Sequence, residues 1–143
     1  MSDTYSSLYF HCVWSTQNRF PSLTSPFDVK AYGFIGSMVN REGGKILAIG
    51  GMPDHVHLLF SIKPSDSVAR MMRYVKGGSS KLLKDSHINM KYFAWQKGYG
   101  VFSVSRSNID VVARYIKNQE IHHKERSSES EFAMLLKLHD IKI

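Results

Sequence analysis

The sequence predicts an α+β domain, on three observations. Strand-favouring runs fall at 5–16, 45–50 and 55–62, the first and third alternating with period two and the second short and apolar. Apolar residues at helical spacing fill the stretches after the first and third runs. The 143-residue chain shows no internal repeat and suits one domain with one core, 43% of it hydrophobic.

Each element has its own local reason. In the first strand, 5–16, Leu8, Phe10, Cys12 and Trp14 alternate with Tyr9, His11, Val13 and Ser15. A loop over 18–25 holds Pro21. Pro26 suits the first turn of a helix with Ser25 as its cap. Phe27, Phe34, Ile35, Met38 and Val39 carry that helix to Asn40, and Gly43 and Gly44 stop it. A short strand over 45–50 and a turn over 50–54 lead to the strand 55–62. Ser65, Asp66 and Ser67 offer capping groups for a helix over 68–83. Val68, Met71, Met72, Val75 and Leu82 form its apolar face, with Arg70, Arg73, Ser80, Lys81 and Lys84 opposite. Gly77 and Gly78 each weaken it by roughly 1 kcal/mol, which marks a bend or a close backbone approach.

Residues 92–95 and 101–105 are further strand candidates. Asn108 caps a helix over 109–123 with Ile109, Val112, Ala113 and Ile116 as its buried stripe. Ser128 and Glu131 match a capping box for a last helix over 129–138, with Phe132, Leu135 and Leu136 as its apolar face. The order matches a split βαβ plan, ferredoxin-like or RRM-like: an antiparallel sheet with helices on one face and the other face free for a ligand, followed by C-terminal helices.

Charge narrows the partners. The formal net charge is +7, and residues 63–97 hold eight basic residues against Asp66 and Asp85. Such a surface attracts a polyanion, or simply keeps the protein soluble. Cys12, the one cysteine, excludes an internal disulfide and a Cys-rich zinc module. Neither a secretory signal nor a membrane-length apolar run is visible, so a cytoplasmic location without membrane contact is expected.

Two constellations carry chemistry. On a strand, His55 and His57 point to one sheet face while Val56, Leu58, Phe60 and Ile62 point into the core. That pair is either a metal grip or two surface imidazoles. On the helix 109–123, Tyr115, Gln119 and His122 share a face, directed away from the buried stripe. A Gln amide oxygen can ligate a hard divalent ion. The same spacing also suits solvent-facing polar residues beside a packing tyrosine.

A resemblance separates these readings. Met52-Pro53-Asp54-His55-Val56-His57-Leu58-Leu59-Phe60 resembles the HUH motif of the single-tyrosine insertion-sequence transposases, the IS200-like family. Tyr115-Ile116-Lys117-Asn118-Gln119, followed by His122 and His123, resembles the nucleophile helix of that family. The stretches 8–19 and 95–103 are similar too, so the likeness spans roughly the whole chain, in order.

The resemblance implies one HUH domain over 1–143: a sheet-based core over 1–107 with the metal-binding histidines, and C-terminal helices over 108–143 with the catalytic tyrosine. It implies Tyr115 as nucleophile and His55, His57 and Gln119 as ligands of Mg2+ or Mn2+. Imidazoles alone favour a softer ion such as zinc. The implied partners are single-stranded DNA with hairpin ends and a second copy of the chain, with no nucleotide cofactor. Members of the family often set the tyrosine helix of one subunit against the histidines of the other. Arg70, Arg73, Lys76, Lys81, Lys84 and Lys97 are the expected DNA-binding residues, and Trp95, Tyr99 and Phe102 could stack on bases.

Three rivals stand beside this reading. Lys97-Gly98-Tyr99-Gly100 starts like an RNA-binding RRM signature, but Val101, Phe102 and Val104 do not continue it. A metal hydrolase would want more carboxylates near the histidines. A domesticated relative would keep the site without mobilising an element.

Overall fold

The structure is a computed structural model and describes residues 4–119 and 128–139. The elements run β1 (Tyr9–Ser15), α1 (Phe27–Arg41), β2 (Lys45–Met52), β3 (His55–Ser61), α2 (Val68–Ser86), β4 (Gly100–Val104), α3 (Ile109–Lys117) and α4 (Ser128–Leu138). The four strands form an antiparallel sheet in the order β2-β3-β1-β4, the ferredoxin-like arrangement expected.

Alternation sorts the strand residues onto two faces. Cys12, Trp14, Val56, Leu58 and Phe60 lie under α1 and α2, with Ile35, Val39, Met72, Val75 and Leu83. Burial pushes the Cys12 thiol pKa up to about 12, so it packs as an apolar filler. Ala48, Leu59 and Val104 point to the other face, where they meet Ile109, Val112 and Ile116 of α3 and Leu135 of α4. The sheet is therefore covered on both faces, and the expected open face is corrected. The cause is the apolar stripe of α3, which needs an apolar partner and finds one on that face.

Other expectations are corrected locally. β1 starts at Tyr9 rather than residue 5. Ser25 does not cap α1; Pro26 occupies that position without a side-chain bond, and the Phe27 N–H donates to the Thr24 carbonyl. Ser67 does cap α2, its hydroxyl accepting from the Arg70 N–H at 3.1 Å. Leu83 rather than Leu82 faces the core, because Met72, Val75, Ser79 and Leu83 keep helical spacing. Residues 92–95 make no strand beyond a single bridge from Trp95 to Thr16. Packing fixes that segment instead: Phe93 and Trp95 meet edge-on, and the Trp95 indole N–H donates to Ser79 Oγ at 3.0 Å.

α2 continues through Gly77 and Gly78 without a break. A Cβ at Gly78 would run into the end of the Met38 side chain, so this glycine leaves room for that thioether between α1 and α2. Asn108 makes no side-chain cap; α3 closes at Lys117, Gln119 is helical again after Asn118, and the rest of the expected stretch, 120–123, lies outside the described residues. His122 and His123 lie outside the described residues, as do the side chains of the Ser128–Glu131 capping pair and Phe132. Among the described residues no helix is long and apolar enough to cross a membrane.

Candidate active site

The β2–β3 hairpin and α3 build the site. Register places Gly50 opposite His57 and Met52 opposite His55. A Cβ on Gly50 would stand 2.8 Å from the Ile116 carbonyl oxygen. The missing side chain thus lets the end of α3 settle onto the hairpin beside both histidines. His55 and His57 are accordingly buried, 4% and 1% exposed, rather than presented to solvent.

His55 is held from both sides. Its Nδ1 lies 2.7 Å from Asp54 Oδ1, and its Nε2 lies 3.2 Å from Gln119 Oε1. Burial pushes the Asp54 carboxyl pKa up, but the hydrogen bond and charge of His55 and the Arg19 guanidinium hold it below the usual carboxylate range. Arg19 Nε donates to Asp54 Oδ2 at 3.1 Å. An ionised Asp54 accepts only, so His55 Nδ1 donates to it. Nε2 then faces an amide oxygen that also only accepts, and that oxygen is oriented by the Gln119 amide N–H, which donates to the Tyr115 carbonyl at 3.4 Å. The Nε2 nitrogen and the Oε1 oxygen thus converge on one position beside the hairpin.

The chemistry of the donors suits a divalent cation, since His55 Nε2 and the Gln119 oxygen approach to 3.2 Å and could hold one. Among the described residues no three His, Cys, Asp or Glu side chains form a metal-holding group. The fitting donor set is two imidazoles and the Gln119 oxygen.

His57 belongs to a second chain of contacts. Its Nδ1 lies 2.9 Å from His11 Nε2, and His11 Nδ1 lies 2.7 Å from His139 Nε2. Burial, then the neighbouring His139, lower the His11 pKa to about 3. Burial lowers that of His139 to about 4, and Phe102 stacks flat on its ring at 4.3 Å between centroids.

Tyr115 stands beside these rings, 5.6 Å from His57 and 6.3 Å from His11 between centroids. It is 6% exposed and lies among Ile109, Val112 and Ile116, not turned away from them as expected. With α3 laid on the sheet, its polar residues at the hairpin end are covered together with its apolar stripe. One chain alone thus brings together His55, His57, Tyr115 and Gln119.

Comparison with known proteins places the chain in a family. The sequence profile of the family described as transposase IS200 like matches residues 4–119. The chain belongs to the IS200-like transposase family. The chain is 24% identical over 123 residues to the ISDra2 transposase TnpA of Deinococcus radiodurans, covering 82% of this chain and 86% of that protein. It is 35% identical over 94 residues to the transposase for insertion sequence element IS200 of Salmonella typhimurium, 59% of this chain and 61% of that one. Two solved structures share the fold. A crystal structure from Deinococcus radiodurans, described as a transposase candidate, superposes with a TM-score of 0.68 at 23% identity over 83% of this chain and 96% of that one. A REP-associated tyrosine transposase bound to a REP hairpin gives 0.63 at 16% identity over 86% and 74%.

The basic residues of the chain sit elsewhere. α2 packs under the sheet face opposite the histidines, so Arg70, Arg73, Lys76, Lys81 and Lys84 lie across the sheet from Tyr115. Two of them are engaged internally. Arg70 pairs with Asp66 at 2.7 Å and Glu42 at 3.0 Å. Lys76 Nζ donates to the carbonyls of Gln96 and Gly98 at 2.8 and 2.7 Å, and burial lowers its pKa. Arg73, Lys81, Lys84 and Lys97 are exposed. Arg73, Lys76, Trp95, Lys97 and Tyr99 line a groove of about 540 Å³.

Sequence reading missed Asp54, Arg19, His11 and His139 around the site. Asp54 was adjacent to the histidine pair, and the alternation of β1 already put His11 with Val13 on the site's face. His139 is 128 positions from His11 and carried no signal.

Proposed function

We propose that this transposase cleaves and rejoins single-stranded DNA at the ends of an insertion sequence, with Tyr115 as nucleophile and His55, His57 and Gln119 as ligands of Mg2+ or Mn2+. The observation that carries the reading is the meeting of α3 with β3, which sets Tyr115 against His57 and Gln119 against His55 in one chain. When bound, the cation would act as a Lewis acid on the scissile phosphate. Asp54 fixes the tautomer of His55, and the Gln119 oxygen supplies a hard donor that two imidazoles alone would lack.

The Tyr115 oxygen bonds to phosphorus as the bond to the 3′ oxygen breaks, leaving a 5′-phosphotyrosine and a free 3′-hydroxyl. The proton lost by the phenol balances the one gained by that hydroxyl. Attack by the 3′-hydroxyl of another strand reverses the step, so rejoining needs no nucleotide cofactor.

The DNA is proposed to carry a hairpin near each end, its backbone gripped by Arg73, Lys81, Lys84 and Lys97, with Trp95 and Tyr99 of the groove near unpaired bases. The REP hairpin held by the structural relative supports that choice of partner. The working unit is proposed to be a homodimer in the cytoplasm. The test is denaturing electrophoresis of single-stranded DNA bearing the element ends. A protein–DNA adduct that needs divalent metal and vanishes in Tyr115→Phe, with DNA binding kept, is expected. An adduct that persists in Tyr115→Phe removes Tyr115 from the role.

A further inference from the structure

Three histidines from three distant parts of the chain form one hydrogen-bonded line. His57 on β3 meets His11 on β1 at 2.9 Å, and His11 meets His139, just beyond α4, at 2.7 Å. The strand register that pairs Val13 with His57 brings the first contact about. The packing of Leu135 on the sheet and the flat stack of Phe102 on His139 bring about the second.

Neutral imidazoles can order their protons along such a line in only two directions. In one, His57 Nδ1–H donates to His11 Nε2, and His11 Nδ1–H donates to His139 Nε2. His57 then keeps its Nε2 lone pair for a cation. In the other, His139 donates to His11 and His11 donates to His57, which leaves the proton of His57 on Nε2 and closes that nitrogen to a metal.

We infer that His11, backed by His139, is a positioning residue that sets which nitrogen of His57 is bare, and so ties the docking of the C-terminal helix to the strength of the metal site. This rests on the reading of His57 as a metal ligand. His55 is served independently, by Asp54 and Arg19 on the opposite side of the site. The two imidazoles are therefore oriented by separate devices, one a carboxylate and one a neutral ring whose own orientation depends on α4.

The test uses the full chain and two readouts. Long-range 1H–15N correlation of the metal-free protein reports the ring tautomers. Titration calorimetry with Mn2+ reports the site itself. The Nδ1–H form of His57 is expected in the wild type. His11→Leu should mix its tautomers and raise the Mn2+ dissociation constant about 10- to 100-fold, the effect typical of losing an outer-sphere partner. His11→Gln, which keeps an acceptor near the same place, should recover most of that loss. His139→Leu should shift both readouts in the same direction by less. A folded His11→Leu protein with wild-type tautomer and wild-type Mn2+ affinity overturns the inference. Should His11→Leu fail to fold, His139→Leu decides, because an unchanged His57 tautomer and affinity there overturn it equally. A wild type that takes up no Mn2+ sinks the metal reading instead, while the tautomer spectra still decide whether His11 orients His57.

Discussion

Gln119 Oε1 stands 3.2 Å from His55 Nε2 across 64 positions of sequence, with Asp54 holding the opposite ring nitrogen at 2.7 Å. Removing the oxygen should therefore weaken the site without disturbing the hairpin. Gln119→Leu is expected to raise the Mn2+ dissociation constant by more than about tenfold in calorimetry, since a direct ligand matters at least as much as its supports. Gln119→Glu, which keeps an oxygen and adds a charge, should bind as tightly or more so. Equal affinity in wild type and Gln119→Leu would take Gln119 out of the ligand set.

Arg70 should behave as a structural residue and not as a DNA contact. Its hydrogen bond to Asp66, helped by the Ser67 N–H, outweighs desolvation and holds the Asp66 pKa below the ordinary range. A carboxyl more acidic in the folded than the unfolded state stabilises above the unfolded pKa of about 3.9 and loses that effect as pH falls through its folded value. Arg70→Ala should lower Tm near neutral pH, and the gap to wild type should shrink below about pH 4. Thermal denaturation across that range checks it, and a gap that widens in acid contradicts it.

Arg73 and Lys97, exposed on the groove, are the residues whose loss should register in DNA binding. Each replaced phosphate contact should lower the slope of log affinity against log salt by about 0.7 on a single strand or about 0.9 on a duplex. Arg73→Ala and Lys97→Ala measured over a salt series test this, with Arg70→Ala as the comparison expected to leave the slope unchanged.

How far the sequence reached depends on whether the deciding contact was local. Alternation in β3 gave the facing of His55 and His57 correctly, because pleating alone determines it. The i, i+4 spacing of Tyr115 and Gln119 paired them correctly for the same kind of reason. Whether that pair faced solvent or the sheet was not local. It depended on Gly50 and on the second apolar cluster, which join residues more than sixty positions apart. The Asp66 partner of Arg70, four positions away, was within reach of spacing rules, whereas Glu42 and the carbonyls of Gln96 and Gly98 that engage Arg70 and Lys76 come from other segments. His11 was legible as a side chain on the site's face, but its role needed His139, which no spacing rule links to it.

Gly50 gives the most direct handle on how α3 is placed. An added Cβ would sit 2.8 Å from the Ile116 carbonyl oxygen and 3.4 Å from its Cγ2. The first of these atoms is backbone and cannot rotate away, so the helix has to lift. Overpacking of this kind costs about 1–3 kcal/mol, and the lift carries Tyr115 and Gln119 with it. Gly50→Ala should therefore lower Tm, weaken Mn2+ binding and reduce adduct yield together. Gly77→Ala is the control. Its Cβ would meet nothing within 4 Å, and a helix interior gains up to about 1 kcal/mol from the change, so Tm should rise with the site untouched. A Gly50→Ala protein with wild-type Tm and wild-type adduct yield would mean that the seat of α3 on β2 does not position the nucleophile.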